Sequence, residues 1–336
     1  QGRLKRMFEP LKRWLRAIVA APQRHSAANS LAAPSSPSAL YESAVLRYAQ
    51  GAFNEAARLL EHAIFVQHDF SRAHFLRGEI RRRSGMLEDA ADCYRLAAAF
   101  DPGLSKAHAQ LGVVCFAQEH HAQALEAVQK AMALAPADST VCNLLGAVLV
   151  RLGRPQEAVE ALRRALALDP QSADAHSNLG YALLRYFEAV DDGAAHIEAA
   201  LAVDPQHADA LCNRVMALRY RGRLAEALAL SERLLERTPD DQLQLNRALM
   251  LLTLGDFARG WDEYEARKRL GPNLAPPPYS EWNGEPLGEK TLLVQGEQGL
   301  GDEIMFASCL HDLAGLAPHC IVETDARLVS IFARSF

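Results

Sequence analysis

A few groups of residues in this chain have types and spacing suited to chemistry. Near the C-terminus the run Gly296-Glu297-Gln298-Gly299-Leu300-Gly301-Asp302-Glu303 follows a short apolar stretch. Gly296, Gln298, Gly299 and Gly301 are the candidate ligand-loop residues, because small residues between a strand and a helix let a ligand approach backbone donors and the positive helix end. The glycine order is G-x-x-G-x-G, neither the dinucleotide order nor a phosphate loop ending in G-K-[ST], although Glu323 stands near where a ribose-binding carboxylate would fall. Asp302 occupies a position where Asp commonly caps a helix. Asn178, Asn213 and Asn246 recur at near-regular intervals, with Asn143 one place out of register. A carboxamide both donates and accepts, so such a column suits either a bound backbone or a bridge between neighbouring segments. His74, His108 and His176 also share one position, with Cys142 between them. Equivalent positions of stacked units lie on the order of 10 Å apart, too far for one ion, so packing rather than metal binding is expected there. The six cysteines show no C-x-x-C and read as buried, reduced thiols of a cytoplasmic protein. Arg81, Arg82 and Arg83 read as a solvated run that favours a helix C-terminus.

The elements that position these residues follow from a period of 34. Gly78, Gly112, Gly146 and Gly180 stand 34 apart, as do Ala90, Ala124 and Ala158, and Pro102, Pro136 and Pro170. In the unit that ends at Pro170, a first helix carries Val141, Leu144, Leu145 and Val148, and a second carries Ala158, Leu162, Ala165 and Leu166. Spacings of three and four put each set on one helix face. Gly153 breaks the chain between them, and Pro170 ends the second helix. The first unit is degenerate, the fifth carries one extra residue between Tyr186 and Gly193, and the seventh lacks the final proline, giving seven units over residues 40–270. A unit of this length cannot bury its apolar face alone, so stacking is required and the product is a solenoid with an extended binding surface.

The pattern of matched small residues resembles the tetratricopeptide repeat. That resemblance implies that the first helices line the concave side and that a protein or peptide lies there. Asn178, Asn213 and Asn246 all fall at the sixth position of a first helix, and the arrangement is similar to the asparagine ladder of protein O-linked N-acetylglucosamine transferases. On that likeness they would hold the backbone of an extended peptide; bridging of adjacent repeats is the alternative.

Charge gives no case for nucleic acid, since the net value is −5. Residues 1–40 hold seven Lys/Arg and one Glu, and the rest of the chain sums to −11. Within residues 1–20, Leu4, Met7, Phe8, Leu11, Trp14, Leu15 and Ile18 fall on one side of a helix and Arg3, Lys5, Arg6, Lys12, Arg13 and Arg16 largely on the other. A basic amphipathic helix over residues 3–18 suits contact with an anionic membrane surface, peripheral at the inner face; packing on a neighbour, a frayed leader or a transit peptide are the other readings. Residues 21–39 are rich in Ala, Pro and Ser and read as a flexible linker. No stretch is apolar and long enough to span a bilayer.

After residue 270 the composition changes. Residues 271–290 form a proline-rich linker, and 291–336 read as strand, helix, strand, helix. Ile304, Met305, Ala307, Leu310 and Leu313 are expected on one face of a single helix. The fold class read from the whole chain is mainly α: a helix-turn-helix solenoid followed by a partial α/β, Rossmann-like segment. The motifs from Gly255-Asp256-Phe257, Gly260-Trp261 and Tyr264-Glu265-x-Arg267 to Gly301-Asp302-Glu303-Ile304-x-Phe306-Ala307 resemble bacterial tetratricopeptide-repeat proteins with a heptosyltransferase-like, GT-B glycosyltransferase domain. The resemblance implies that Asp302 is the general base that takes the acceptor hydroxyl proton. It also implies a nucleotide-sugar donor whose site is absent here, so no cofactor is expected in this chain. The resemblance covers only the opening of such a domain, which makes the chain a fragment or a truncated form, catalytically incomplete. A non-catalytic interaction or adaptor protein is the alternative reading.

Overall fold

The computed structural model describes residues 36–270, 279–296 and 299–336. The expected basic helix of residues 1–20, most of the linker 21–39, the proline-rich residues 271–278 and Gln298 lie outside the described residues. The chain divides into two compact units, one ending at Leu270 and the other running to Phe336.

The first unit is the solenoid expected from the 34-residue period. Its helix pairs are α1 (Pro37–Ala49) with α2 (Phe53–Val66), α3 (Ser71–Arg83) with α4 (Leu87–Phe100), α5 (Ser105–Ala117) with α6 (His121–Leu134), and α7 (Ser139–Arg151) with α8 (Pro155–Leu168). They continue as α9 (Ala173–Tyr186) with α10 (Val190–Val203), α11 (Ala208–Tyr220) with α12 (Leu224–Leu235), and α13 (Asp241–Thr253) with the shorter α14 (Phe257–Tyr264); α15 (Arg267–Leu270) follows. Several starts are capped by side chains, as where Asp138 accepts from the amides of Thr140 and Val141. Between the helices of a pair the chain takes one left-handed residue, Gly153 (φ 67°) in the fourth pair and Glu119 (φ 61°) in the third.

The pairs close at one repeated contact. A Cβ on Gly78 would lie 2.6 Å from the Tyr94 ring, and those on Gly112 and Gly146 would meet the side chains of Val128 and Leu162. Each partner stands 16 residues further on. In the fifth pair the partner of Gly180 is Ile197, one residue later, because α9 runs to 14 residues where the other first helices have 13, so the extra residue falls at its end, after Gly180. There Gly180 and Gly193 face each other so closely that a Cβ on either would come within 2.9 Å of the other's carbonyl oxygen. Successive first helices from α5 to α13 also touch one another, whereas second helices make no comparable contact. The first helices are therefore the inner layer of the stack.

The core is a series of small clusters, each of which joins buried residues of two consecutive pairs. Tyr94 is fully buried, and its hydroxyl donates to Glu79 at 2.6 Å while Arg82 donates to the same carboxylate at 3.1 Å. Cys93, Cys115 and Cys142 are buried, Cys212 and Cys320 half-buried and Cys309 exposed. All six are free thiols.

The second unit holds two five-residue strands, β1 (Thr291–Gln295) and β2 (His319–Glu323), paired in parallel from Thr291↔His319 to Gln295↔Glu323. They are joined by α16 (Leu300–Phe306), a 3-10 turn (Ala307–Cys309) and α17 (Leu310–Leu316); α18 (Val329–Ser335) follows. A lone parallel pair is the whole sheet among the described residues, so the structure stops short of the expected Rossmann-like segment. The single helix expected after the glycine loop is also corrected. The 3-10 turn splits it, Ala307 and Leu310 are buried, and Ile304 and Met305 are 53% and 60% exposed. Two short strands present too little surface to bury a full helix face.

Replacing Gly180 by Ala is expected to destabilise the solenoid by about 1–3 kcal/mol despite the better helix propensity of alanine, because backbone blocks the new methyl. Urea unfolding measures this, with Gly301→Ala as the control, since nothing lies within 4 Å of a Cβ there. Burial pushes the Cys93 thiol up to about 11. At pH 8 iodoacetamide is thus expected to label Cys309 in the folded protein and Cys93 only after unfolding, as read by peptide mass spectrometry; equal rates at the two sites would contradict the burial.

Candidate functional site

The asparagines of the inner layer lie on α7, α9, α11 and α13 and are half-buried. Asn178 donates to the Oδ1 of Asn143 at 2.9 Å, which joins α9 to α7. Asn213 donates to Oγ of Ser177 at 3.1 Å and to its carbonyl at 3.4 Å, which joins α11 to α9. Ser177 is itself buried. Asn246 makes no side-chain hydrogen bond among the described residues. The bridging that the sequence left as one alternative is therefore present for two members of the column. It leaves the Oδ1 atoms of Asn178 and Asn213 without a donor among the described residues, and it fixes their orientation. The out-of-register Asn143, set aside as an exception in sequence, serves as the acceptor of the first bridge.

The histidines of the other column each bond the loop before their own helix. Nε2 of His74 pairs with the carbonyl of His68 at 2.9 Å, that of His108 with Pro102 and that of His176 with Pro170, both at 3.2 Å. They are not brought together, and among the described residues no three metal-binding side chains gather. Burial holds His74 below the usual imidazole range. Sequence reasoning missed that Nδ1 of His176 meets Nδ1 of His196 at 3.0 Å, because His196 comes from the second helix of the same pair. Burial, and then the charge of His176, lowers His196.

At the carboxyl ends of the two strands, Gly299 is the N-cap of α16 and Asp302 stands in its first turn. Asp302 is half-buried and its carboxylate makes no hydrogen bond or ion pair among the described residues, so the capping role is not realised as a bond. Glu303, which sequence reasoning passed over, does the local work. It accepts from the Thr324 hydroxyl at 2.5 Å and the Asp325 amide at 3.1 Å, tying the loop after β2 to the first turn of α16. Gly296 lies against it, since a Cβ there would be 2.7 Å from the Glu303 carboxyl carbon. Glu323 is exposed and accepts from Gln295 at 2.6 Å. The bidentate Arg327 guanidinium holds Asp325 well below the usual carboxylate range. Gly301 is exposed in the first turn of α16, with open space where a Cβ would stand.

Known proteins place the first unit. The profile described as tetratricopeptide repeat matches residues 41–105, 188–242 and 212–275. A second, described as TPR repeat, matches residues 146–185. Protein FlbA of Caulobacter vibrioides is 36% identical over 136 residues, a match covering 37% of this chain and 22% of FlbA. A tetratricopeptide repeat protein from Parabacteroides merdae superposes with a TM-score of 0.57 at 16% identity, over 70% of this chain and 94% of that one. PilF of Pseudomonas aeruginosa gives 0.52 at 18% identity, over 62% and 94%. The Cut9–Hcn1 hetero-tetramer gives 0.56 at 18%, over 72% and 46%. At such identities the structural likeness is one of fold. The stacked helix pairs are tetratricopeptide repeats, and the chain is a tetratricopeptide-repeat protein.

Proposed function

We propose that the solenoid is a protein-binding scaffold that holds an extended segment of a protein partner along its inner layer of first helices. The observation that carries this is the oriented carboxamide column. Asn178 and Asn213 use an N–H on the neighbouring repeat and keep an Oδ1 free, and Asn246 keeps its whole carboxamide. An acceptor held in place by the fold has little freedom left to lose when it takes a backbone N–H from a ligand. The test is selection of binders from a random peptide library, then measurement of the selected peptides on variants. Asn178→Ala/Asn213→Ala/Asn246→Ala is expected to weaken binding by about tenfold or more, three modest hydrogen bonds being lost. Asn246→Ala alone is expected to weaken binding with no change in melting temperature, which separates recognition from fold support. A library that yields no binder, or binders indifferent to all three changes, would end this reading.

A second reading concerns the other unit, as the opening of a glycosyltransferase-like, GT-B domain whose acceptor the solenoid would recognise. In its favour is the parallel strand pair with a helical crossover, which puts Gly296, Gly299, Gly301 and an Asp302 carboxylate without a partner among the described residues at the strands' carboxyl ends, where α/β sheets bind ligands. Asp302 would take the proton of an acceptor hydroxyl during attack on a nucleotide-sugar. In a polypeptide that also carries a donor-binding half, Asp302→Asn is expected to abolish transfer at unchanged helicity and melting temperature. Full activity of that variant would remove Asp302 from the chemistry.

A further inference from the structure

Directly before the contact glycines Gly112, Gly146 and Gly180 stand Leu111, Leu145 and Leu179, which pack into the stack. With the extra residue at the end of α9 counted, Arg214 takes that place on α11. Arg77 and Arg247 take it elsewhere, but their side chains are 15% and 17% exposed, against 43% for Arg214. An open arginine does not fill the space a packed leucine fills. Two cavities, of about 290 and 250 Å³, share Arg214 and its neighbour Glu198 of α10.

The smaller cavity is a trough with an apolar floor and charged ends. Ala194 of α10, Ala217 and Leu218 of α11, and Ala229 and Leu230 of α12 form the floor. Arg214 and Arg221 stand on either side of it along α11. They are seven residues apart, hence on one helix face and about 10 Å apart along the axis.

The two ends differ in charge. At the Arg221 end every charge is matched. Arg221 pairs with Asp191 at 2.7 Å, and Arg223 holds Glu226 through bonds of 2.7 and 2.6 Å. At the Arg214 end two guanidiniums stand with one carboxylate. Arg214 lies 3.0 Å from Glu198 and makes no hydrogen bond among the described residues. Arg233 makes no ion pair among them and gives its Nε to a carbonyl of its own helix, that of Ala229, at 3.2 Å. Since α12 runs back along α11 after the turn at Gly222, Arg233 near its end returns to the level of Arg214.

We propose that this trough binds a small amphiphilic carboxylate, its head on Arg214 and Arg233 and its apolar body, up to about 10 Å long, over the floor. One uncompensated positive charge selects a monoanion. The planar carboxylate matches the guanidinium fork. The matched ions at the other end limit the body, because a longer chain runs onto polar groups and buries no further apolar surface. The volume lies just under the usual lower bound of small-molecule sites, about 300 Å³, so the ligand is compact. The trough shares no residue with the asparagine column and stands independently of the peptide reading.

Isothermal titration calorimetry on the whole chain tests this with butanoate, octanoate, dodecanoate, octan-1-ol and octylamine. Affinity is expected to rise from butanoate to octanoate by up to about fourfold per CH₂ covered. Dodecanoate is expected to bind no tighter than octanoate, and octanol and octylamine at least tenfold more weakly. Arg233→Gln, at an exposed position, is expected to weaken octanoate about tenfold, a charge-assisted hydrogen bond being lost. Ala229→Trp, also exposed, fills the floor and is expected to abolish binding at unchanged melting temperature. Arg214→Leu, which restores the leucine of the other repeats, is expected to abolish it as well. Octanol binding as tightly as octanoate overturns the charge reading, and continued gain with dodecanoate overturns the length limit. Octanoate binding that survives both Arg233→Gln and Ala229→Trp places the ligand elsewhere and overturns the site, as does no binding of octanoate at all. Peptides selected on the asparagine column are expected to bind all three variants normally, so the two readings fail separately.

Discussion

In four of the seven helix pairs the distance between the two helices is set by an absent side chain. At Gly78, Gly112, Gly146 and Gly180 the backbone of a first helix meets Tyr94, Val128, Leu162 and Ile197 of the second directly. Dispersion contacts fall off within an ångström, so a methyl inserted there would forfeit more than its own volume of packing. Everything else in the solenoid is referenced to that contact. It fixes the register of the second helix, which fixes where the next turn starts, which places the next first helix on the inner layer. Because each repeat touches only its neighbours, the stability of the stack is built from these contacts one pair at a time.

The extra residue of the fifth pair shows how strong this constraint is. A one-residue insertion inside a helix would rotate every later side chain by about 100° and turn the apolar face outward. The chain places it instead at the last turn of α9, just before left-handed Glu188, and Ile197 arrives opposite Gly180 as its counterparts do. Glu188 and Glu119 both occupy a conformation that other pairs give to glycine. A non-glycine residue there carries a backbone cost, and the helix register is held in spite of it.

What the sequence made legible follows the same division. The 34-residue spacing of Gly, Ala and Pro is a direct imprint of the helix-pair contact, so the helices, their pairing and the stacking could be read from it. The asparagine column was visible because it lies on one helix position, although Asn143 became meaningful only once its Oδ1 was seen to accept from Asn178. Contacts between elements at unequal offsets left no periodic trace. The His176–His196 pair, the Tyr94–Glu79 bond and the Glu303–Thr324 bond join residues 20, 15 and 21 apart, separations that no other side-chain hydrogen bond among the described residues repeats. The helix after the glycine loop was read as one because its apolar residues keep the right period. That period reports what a segment is able to bury, and the two strands present give it only Ala307 and Leu310 to bury.

The cross-repeat bonds bear on how such a surface recognises anything. A solenoid held only by apolar contacts can flex between repeats, and a ligand spanning several repeats would have to stop that motion at its own expense. Asn178 to Asn143 and Asn213 to Ser177 tie α7, α9 and α11 together on the inner layer, the face a ligand would occupy. His207 adds a bond to Asp174 at 2.9 Å between the starts of α11 and α9. Spacing along a stack can discriminate between ligands only if the stack keeps its own spacing, and the polar ties are placed where that matters.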